Sequence, residues 1–150
     1  MSHFLALVFV PPTITWQGKQ AIMREIQRLM APYDRYPAPD AYNPNGTWDG
    51  WKIGGRWHSI TKGTSVTNEH SDDTNENNEP DLEENSCPVQ DLPYELVPFA
   101  IVTPGGTWHT EGEMQEFGLS TNHDPYWEDK NDQLREQYAD CLAIVLDCHI

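Results

Sequence analysis

The sequence predicts an α+β fold, a ferredoxin-like two-layer sandwich in which an antiparallel sheet carries two helices on one face. Three observations predict it. Two apolar, β-rich segments stand at opposite ends of the 150-residue chain. Two segments of helical periodicity lie between them, and a glycine-centred hairpin separates the helices. The length favours one domain, and a chain of this size buries roughly 68–70 % of its unfolded surface.

The elements follow in order. His3–Val10 is apolar on both faces, as a central strand is, and Pro11-Pro12 ends it. Gln17–Met30 places Ile22, Ile26, Leu29 and Met30 on one helical face and displaces Lys19, Arg24 and Arg28 from it. Ala31-Pro32-Tyr33-Asp34 terminates that helix, and Pro37–Gly46 is a Pro/Asn/Gly-rich loop. The second half of residues 48–60, WDGWKIGGRWHSI, reads as a strand kinked at Gly54-Gly55. Pro98–Thr103 and Thr107–Glu111 flank Pro104-Gly105-Gly106 as a hairpin. Asp124-Pro125 opens a second helix, with Trp127, Leu134 and Tyr138 on its buried face. Cys141–His149 is a second buried strand.

The charge is uneven. Nine basic and 24 acidic residues give a net charge of −15. Residues 1–66 hold seven basic and four acidic groups, whereas residues 67–150 hold two and twenty. Much of the excess lies in Thr67–Ser86, whose only aliphatic residue is Leu82. Such composition cannot offset chain entropy by burial, so residues 63–93 are expected to be a disordered acidic insertion. The acidity argues against direct nucleic-acid binding and against an anionic membrane surface. The apolar run Phe4–Val10 is too short to span a bilayer and lacks the flanks of a signal peptide. Three cysteines without a C-x-x-C pair suit a reducing compartment.

Common nucleotide and hydrolase motifs, the phosphate-binding P-loop and the G-x-S-x-G elbow among them, are absent. Two constellations remain. The first is Trp48, Trp51, Lys52, Gly54, Gly55, Arg56 and Trp57, in the net-basic part of the chain. Paired glycines let backbone donors approach an anion, an arginine fork fits phosphate or carboxylate, and indole rings stack bases. A glycine bulge with core tryptophans and a surface arginine explains the same residues. The second depends on antiparallel pairing of the terminal strands, which brings His3 beside His149 with Asp147 on the same face. These three groups suit a divalent metal or acid–base chemistry. A solvent-facing rim in which Asp147 holds one histidine explains them equally. Trp108, His109, Glu111 and Glu113 on the hairpin add further candidate groups, or are simple strand-edge alternation. Cys148 points to the other face and reads as core packing.

The start Met1-Ser2-His3-Phe4, the stretch Met30-Ala31-Pro32-Tyr33-Asp34 and the motif Asn43-Pro44-Asn45 share a further pattern with residues downstream. These are Trp48-Asp49-x-x-x-Ile53-Gly54-Gly55-Arg56-Trp57, the hairpin Gly106-Thr107-Trp108 with Gly112-Glu113-Met114, and Asp147-Cys148-His149-Ile150. In these residues the chain resembles a family of small accessory proteins encoded by tailed bacteriophages. The resemblance implies a counter-defence role in the cytoplasm of the infected bacterial host, and such factors commonly sequester a nucleotide-based immune signal.

The expected function is therefore binding, without turnover or cofactor, of a small anionic, nucleotide-derived ligand. In that reading Arg56 and Lys52 pair phosphates, Gly54 and Gly55 offer backbone donors, and Trp48, Trp51 and Trp57 stack the base. A homo-oligomer is expected, because a thin two-layer domain has little depth for a pocket. Two alternatives stand beside it. One is a metal-assisted hydrolase or phosphodiesterase at His3, Asp147 and His149; the other is an acidic inhibitor that occupies a basic surface of a host enzyme.

Overall fold

A computed structural model describes residues 2–62, 80–114 and 119–150. Strand β1 (His3–Val10) is followed by a one-turn helix α1 (Pro12–Thr15) and by α2 (Lys19–Met30). Then come β2 (Gly50–Ile53), β3 (Ser86–Pro88), the hairpin β4 (Ala100–Val102) and β5 (Trp108–Thr110), and the small ribbon β6 (Glu113–Met114) and β7 (Ser120–Thr121). Helix α3 (Trp127–Gln137) and strand β8 (Leu142–His149) complete the described elements.

The architecture is α+β with a mostly antiparallel sheet of six described strands, ordered β2-β8-β1-β4-β5, with β3 on β8. It departs from the ferredoxin-like expectation in two respects. The first hairpin strand, β4, lies beside β1 and runs parallel to it, whereas the ferredoxin-like order interposes the second hairpin strand and is antiparallel throughout. The helices also lie on opposite faces. Phe4, Ala6, Val8 and Val10 pack with Ile22, Ile26, Leu29 and Met30 of α2. Leu5, Leu7 and Phe9 pack with Trp127 and Leu134 of α3. Alternate residues of a strand face opposite sides, so a strand buried on both faces needs a cover on each. Burial of each such large side chain contributes about 1.5–3 kcal/mol.

The pairing of β1 with β8 is antiparallel over its whole length, from His3 opposite His149 to Val10 opposite Leu142. The other edge of β8 is shared. Gly50–Ile53 pairs with 146–149 and Ser86–Pro88 pairs with 142–144. Residues 80–93, expected to belong to the disordered insertion, are thus largely part of the folded body. Leu82, Asn85, Cys87, Val89 and Leu92 are buried among the acidic residues that dominate the local composition. The rest of that expectation, residues 63–79, lies outside the described residues. None of the described helices is long and apolar enough to cross a membrane.

Candidate functional site

The sheet register brings both sequence constellations to one end of β8. His3 and Gly50 flank His149, and Lys52 stands opposite Asp147. Asp147 is 1 % exposed. Its Oδ1 lies 2.7 Å from His3 Nδ1, and because a carboxylate only accepts, the ring donates. Its Oδ2 accepts the Arg56 backbone N–H at 3.1 Å. The His3 and His149 rings are 5.6 Å apart and inclined at 51°. Asp147 therefore ties the first strand and the Gly55–Trp57 turn to β8. Among the described residues no group of three or more His, Cys, Asp or Glu side chains is placed to hold a metal ion.

The tryptophan and glycine cluster serves the fold in most of its members. Trp48 is 8 % exposed and donates its indole N–H to the Met30 carbonyl at 3.1 Å, so it is a core anchor and not a stacking platform. Half-buried Trp51 packs against the α2-side core and half-buried Trp57 against the α3-side core, so the two do not enclose a common ligand. Gly54, at φ 79°, donates its N–H to Val145 O at 3.0 Å and lies against the Asn85 amide, where a Cβ would come within 2.8 Å. Gly55, at φ 57°, lies against Asp147, where a Cβ would stand 2.3 Å from Oδ2. The expected anion nest is thus a pair of close approaches, and the Gly54 donor is already used. Lys52 is exposed, and Arg56 is half-buried with its Nε buried and unpartnered among the described residues.

A cavity of about 410 Å³ lies elsewhere, and its lining contains none of these seven residues. One wall is aromatic: Phe4 of β1, Phe99 just before β4, and Trp108 of β5. Phe4 meets Phe99 at 5.4 Å and meets Trp108 edge-on at 6.1 Å, and Tyr33 backs Trp108 at 5.1 Å. The Tyr33 hydroxyl donates to the Gly106 carbonyl, which fixes the hairpin turn against it.

The loop of residues 34–49 contributes Arg35 and residues 44–47 to the lining. Arg35 donates its N–H to Trp48 O at 3.0 Å and accepts from Asn43 N–H at 2.8 Å, while Thr47 N–H donates to Tyr33 O at 2.7 Å. The Asn43 side chain donates to the carbonyls of Pro32 and Asp34, each at 3.0 Å. Gly46 lies so close that a Cβ would fall 2.6 Å from Arg35 Cα. Arg35 is thereby held at the pocket by its own backbone. Arg35 Nε and Thr47 Oγ1 are both buried and have no hydrogen-bond partner among the described residues. Glu113, at the rim, accepts from Asn122 Nδ2 at 3.1 Å.

Comparison with protein-family models, with curated proteins and with solved structures finds no match to this chain. The chemistry of the site therefore rests on its own geometry. Sequence reasoning named Trp108 and Glu113 but passed over Arg35, Thr47, Phe4 and Phe99. The signal for Arg35 was slight: one cation at the edge of a Pro/Asn/Gly-rich loop, in a region with a basic balance. Nothing in its spacing ties it to a hairpin some seventy residues downstream.

Proposed function

We propose that the protein binds a small anionic ligand between Arg35 and the Phe4–Phe99–Trp108 wall and holds it without turnover. One observation carries the reading. Arg35 lines the cavity beside the aromatic wall, and none of the ion pairs among the described residues involves its guanidinium. An anionic oxygen is the natural partner of a guanidinium, and charge-assisted bonds of this kind are the stronger class. The aromatic wall supplies a face for a planar group.

The resemblance to phage accessory proteins directs this reading towards counter-defence: sequestration, in the cytoplasm of the infected host, of a nucleotide-derived signal by a homo-oligomer. The binding site is moved from Arg56 to Arg35 in this proposal. Calorimetric titration with a nucleotide panel tests it, with Arg35→Ala and Arg56→Ala in parallel. The expected result is binding with the ligand recovered intact, weakened roughly ten- to a hundredfold in Arg35→Ala and little changed in Arg56→Ala. The opposite pattern returns the site to the Gly54–Trp57 turn, and a flat panel overturns the reading.

A further inference from the structure

We infer that Asn45 is a modification site: its side-chain amide deamidates and turns one neutral group of the cavity lining into a carboxylate. Of the chain's asparagines, Asn45 alone is followed by glycine. The reaction needs no partner but water. The Gly46 backbone nitrogen bonds to Asn45 Cγ, the Cγ–Nδ2 bond breaks, and the displaced amine leaves as ammonia with the proton that nitrogen gave up. Water then opens the cyclic imide at either carbonyl, which yields aspartate or isoaspartate. Glycine hinders ring closure least, because no Cβ stands beside the attacking nitrogen and its backbone is the most permissive.

The surroundings of each asparagine separate Asn45 from its competitors. Asn45 is exposed, and its side chain makes no hydrogen bond among the described residues. Asn43 precedes Pro44, whose nitrogen carries no hydrogen and cannot attack. Asn85, followed by the small Ser86, is fully buried with its amide engaged by Ser59 N–H and Asp81 O. Asn131 is buried, and Asn122 donates its amide to Glu113. The asparagines between residues 63 and 79 are followed by Glu or Asn, both bulkier than glycine. One bond restrains Asn45: Gly46 N–H donates to Asn43 O at 3.0 Å, so attack proceeds when that turn opens.

Asn45 and Gly46 line the same cavity as Arg35, the one cationic side chain among its described lining residues. The aspartate product adds a negative charge there and opposes an anion, a consequence that rests on the proposed function. Isoaspartate also lengthens the main chain by one carbon directly before Gly46. That glycine already lies so close to Arg35 that a Cβ would fall 2.6 Å from its Cα, and Thr47 beyond it is tied to Tyr33 O at 2.7 Å. The isoaspartyl form therefore displaces the loop.

Peptide mass mapping of the full chain, incubated folded at pH 8 beside a pH 5 control and a urea-unfolded control, tests this. The expected result is an amide-to-acid mass gain that arises first at Asn45, proceeds faster in urea, and is abolished by Asn45→Gln. An Asn45 still intact after prolonged incubation at pH 8, or another asparagine converting before it in the folded chain, overturns the inference. Asn45→Asp supplies the product without ageing. It is expected to keep the melting temperature of the fresh chain and to bind the nucleotide panel roughly two- to fivefold more weakly. Unchanged binding in Asn45→Asp overturns the charge effect. A fresh chain that binds no probe overturns the proposed function, and the mass readout then decides the modification site by itself.

Discussion

Single residues in this protein answer to their immediate neighbours more than to their type. Gly55 is the clearest case. Its φ of 57° and the 2.3 Å approach to Asp147 Oδ2 leave no room for a methyl group. Gly55→Ala is expected to lose about 2–4 kcal/mol in a urea melt, through backbone strain and displacement of Asp147. His109 offers a pH test. Burial, with Lys130 adding to it, lowers its pKa from the ordinary value. A histidine depressed in the folded state contributes stability above the unfolded pKa, near 6.5, which is lost as pH falls through the folded value, because the unfolded chain then binds the extra proton. His109→Gln should therefore flatten the fall in melting temperature below about pH 6.5, a change visible by calorimetry across pH 5–8.

At the scale of elements, the sequence is most legible where period and burial coincide. The β1 and β8 strands are continuous apolar runs, and α2 shows an apolar stripe, so their existence follows from pattern; the antiparallel pairing of His3 with His149 is conditional on the topology and holds in a different sheet order. The segment from Pro80 to Leu92 is illegible for the converse reason. Its buried side chains are scattered among acids at no fixed period, and what holds them is Asn85. That residue is fully buried, accepts Ser59 N–H at 3.0 Å, donates to Asp81 O at 2.8 Å and accepts Val145 N–H on its own carbonyl at 2.9 Å. Asn85→Ala leaves buried donors and acceptors unmade and should cost about 2–3 kcal/mol by equilibrium denaturation. Any deletion meant to test the acidic run has to spare residues 80–86 for the same reason. The candidate pocket was hidden for a third reason. Arg35 and Trp108 come from a loop and a hairpin whose association depends on tertiary contacts through Tyr33, and no local spacing encodes that.

For the molecule as a whole, the two cores on either side of β1 and β8 make thiol chemistry a probe of global opening. Cys87, Cys141 and Cys148 are all buried and free. Burial raises the pKa of each, Cys141 to about 11 and Cys148 well above the ordinary thiol value. The thiolate is the reactive species, so all three are expected to be slow towards a disulfide reagent at pH 8. Cys148 sits in mid-sheet, and its labelling rate should track unfolding through a urea series; fast labelling under native conditions would show that β8 opens locally. The helix placement belongs to this scale too. Apolar periodicity says that a helix has an inner face, but both faces of an apolar sheet accept one, and the choice between them lies in the connections.

The shared edge of β8 has one more consequence. The chain leaves that edge after Ile53, opposite Leu146, and rejoins it at Ser86, opposite Ile144, two positions along the same strand. Departure and return are nearly coincident, so the intervening segment is anchored at both mouths by the sheet itself. The two mouths therefore share a fate: whatever frees β8 frees β2 and β3 at once, and their amides are expected to lose hydrogen-exchange protection together.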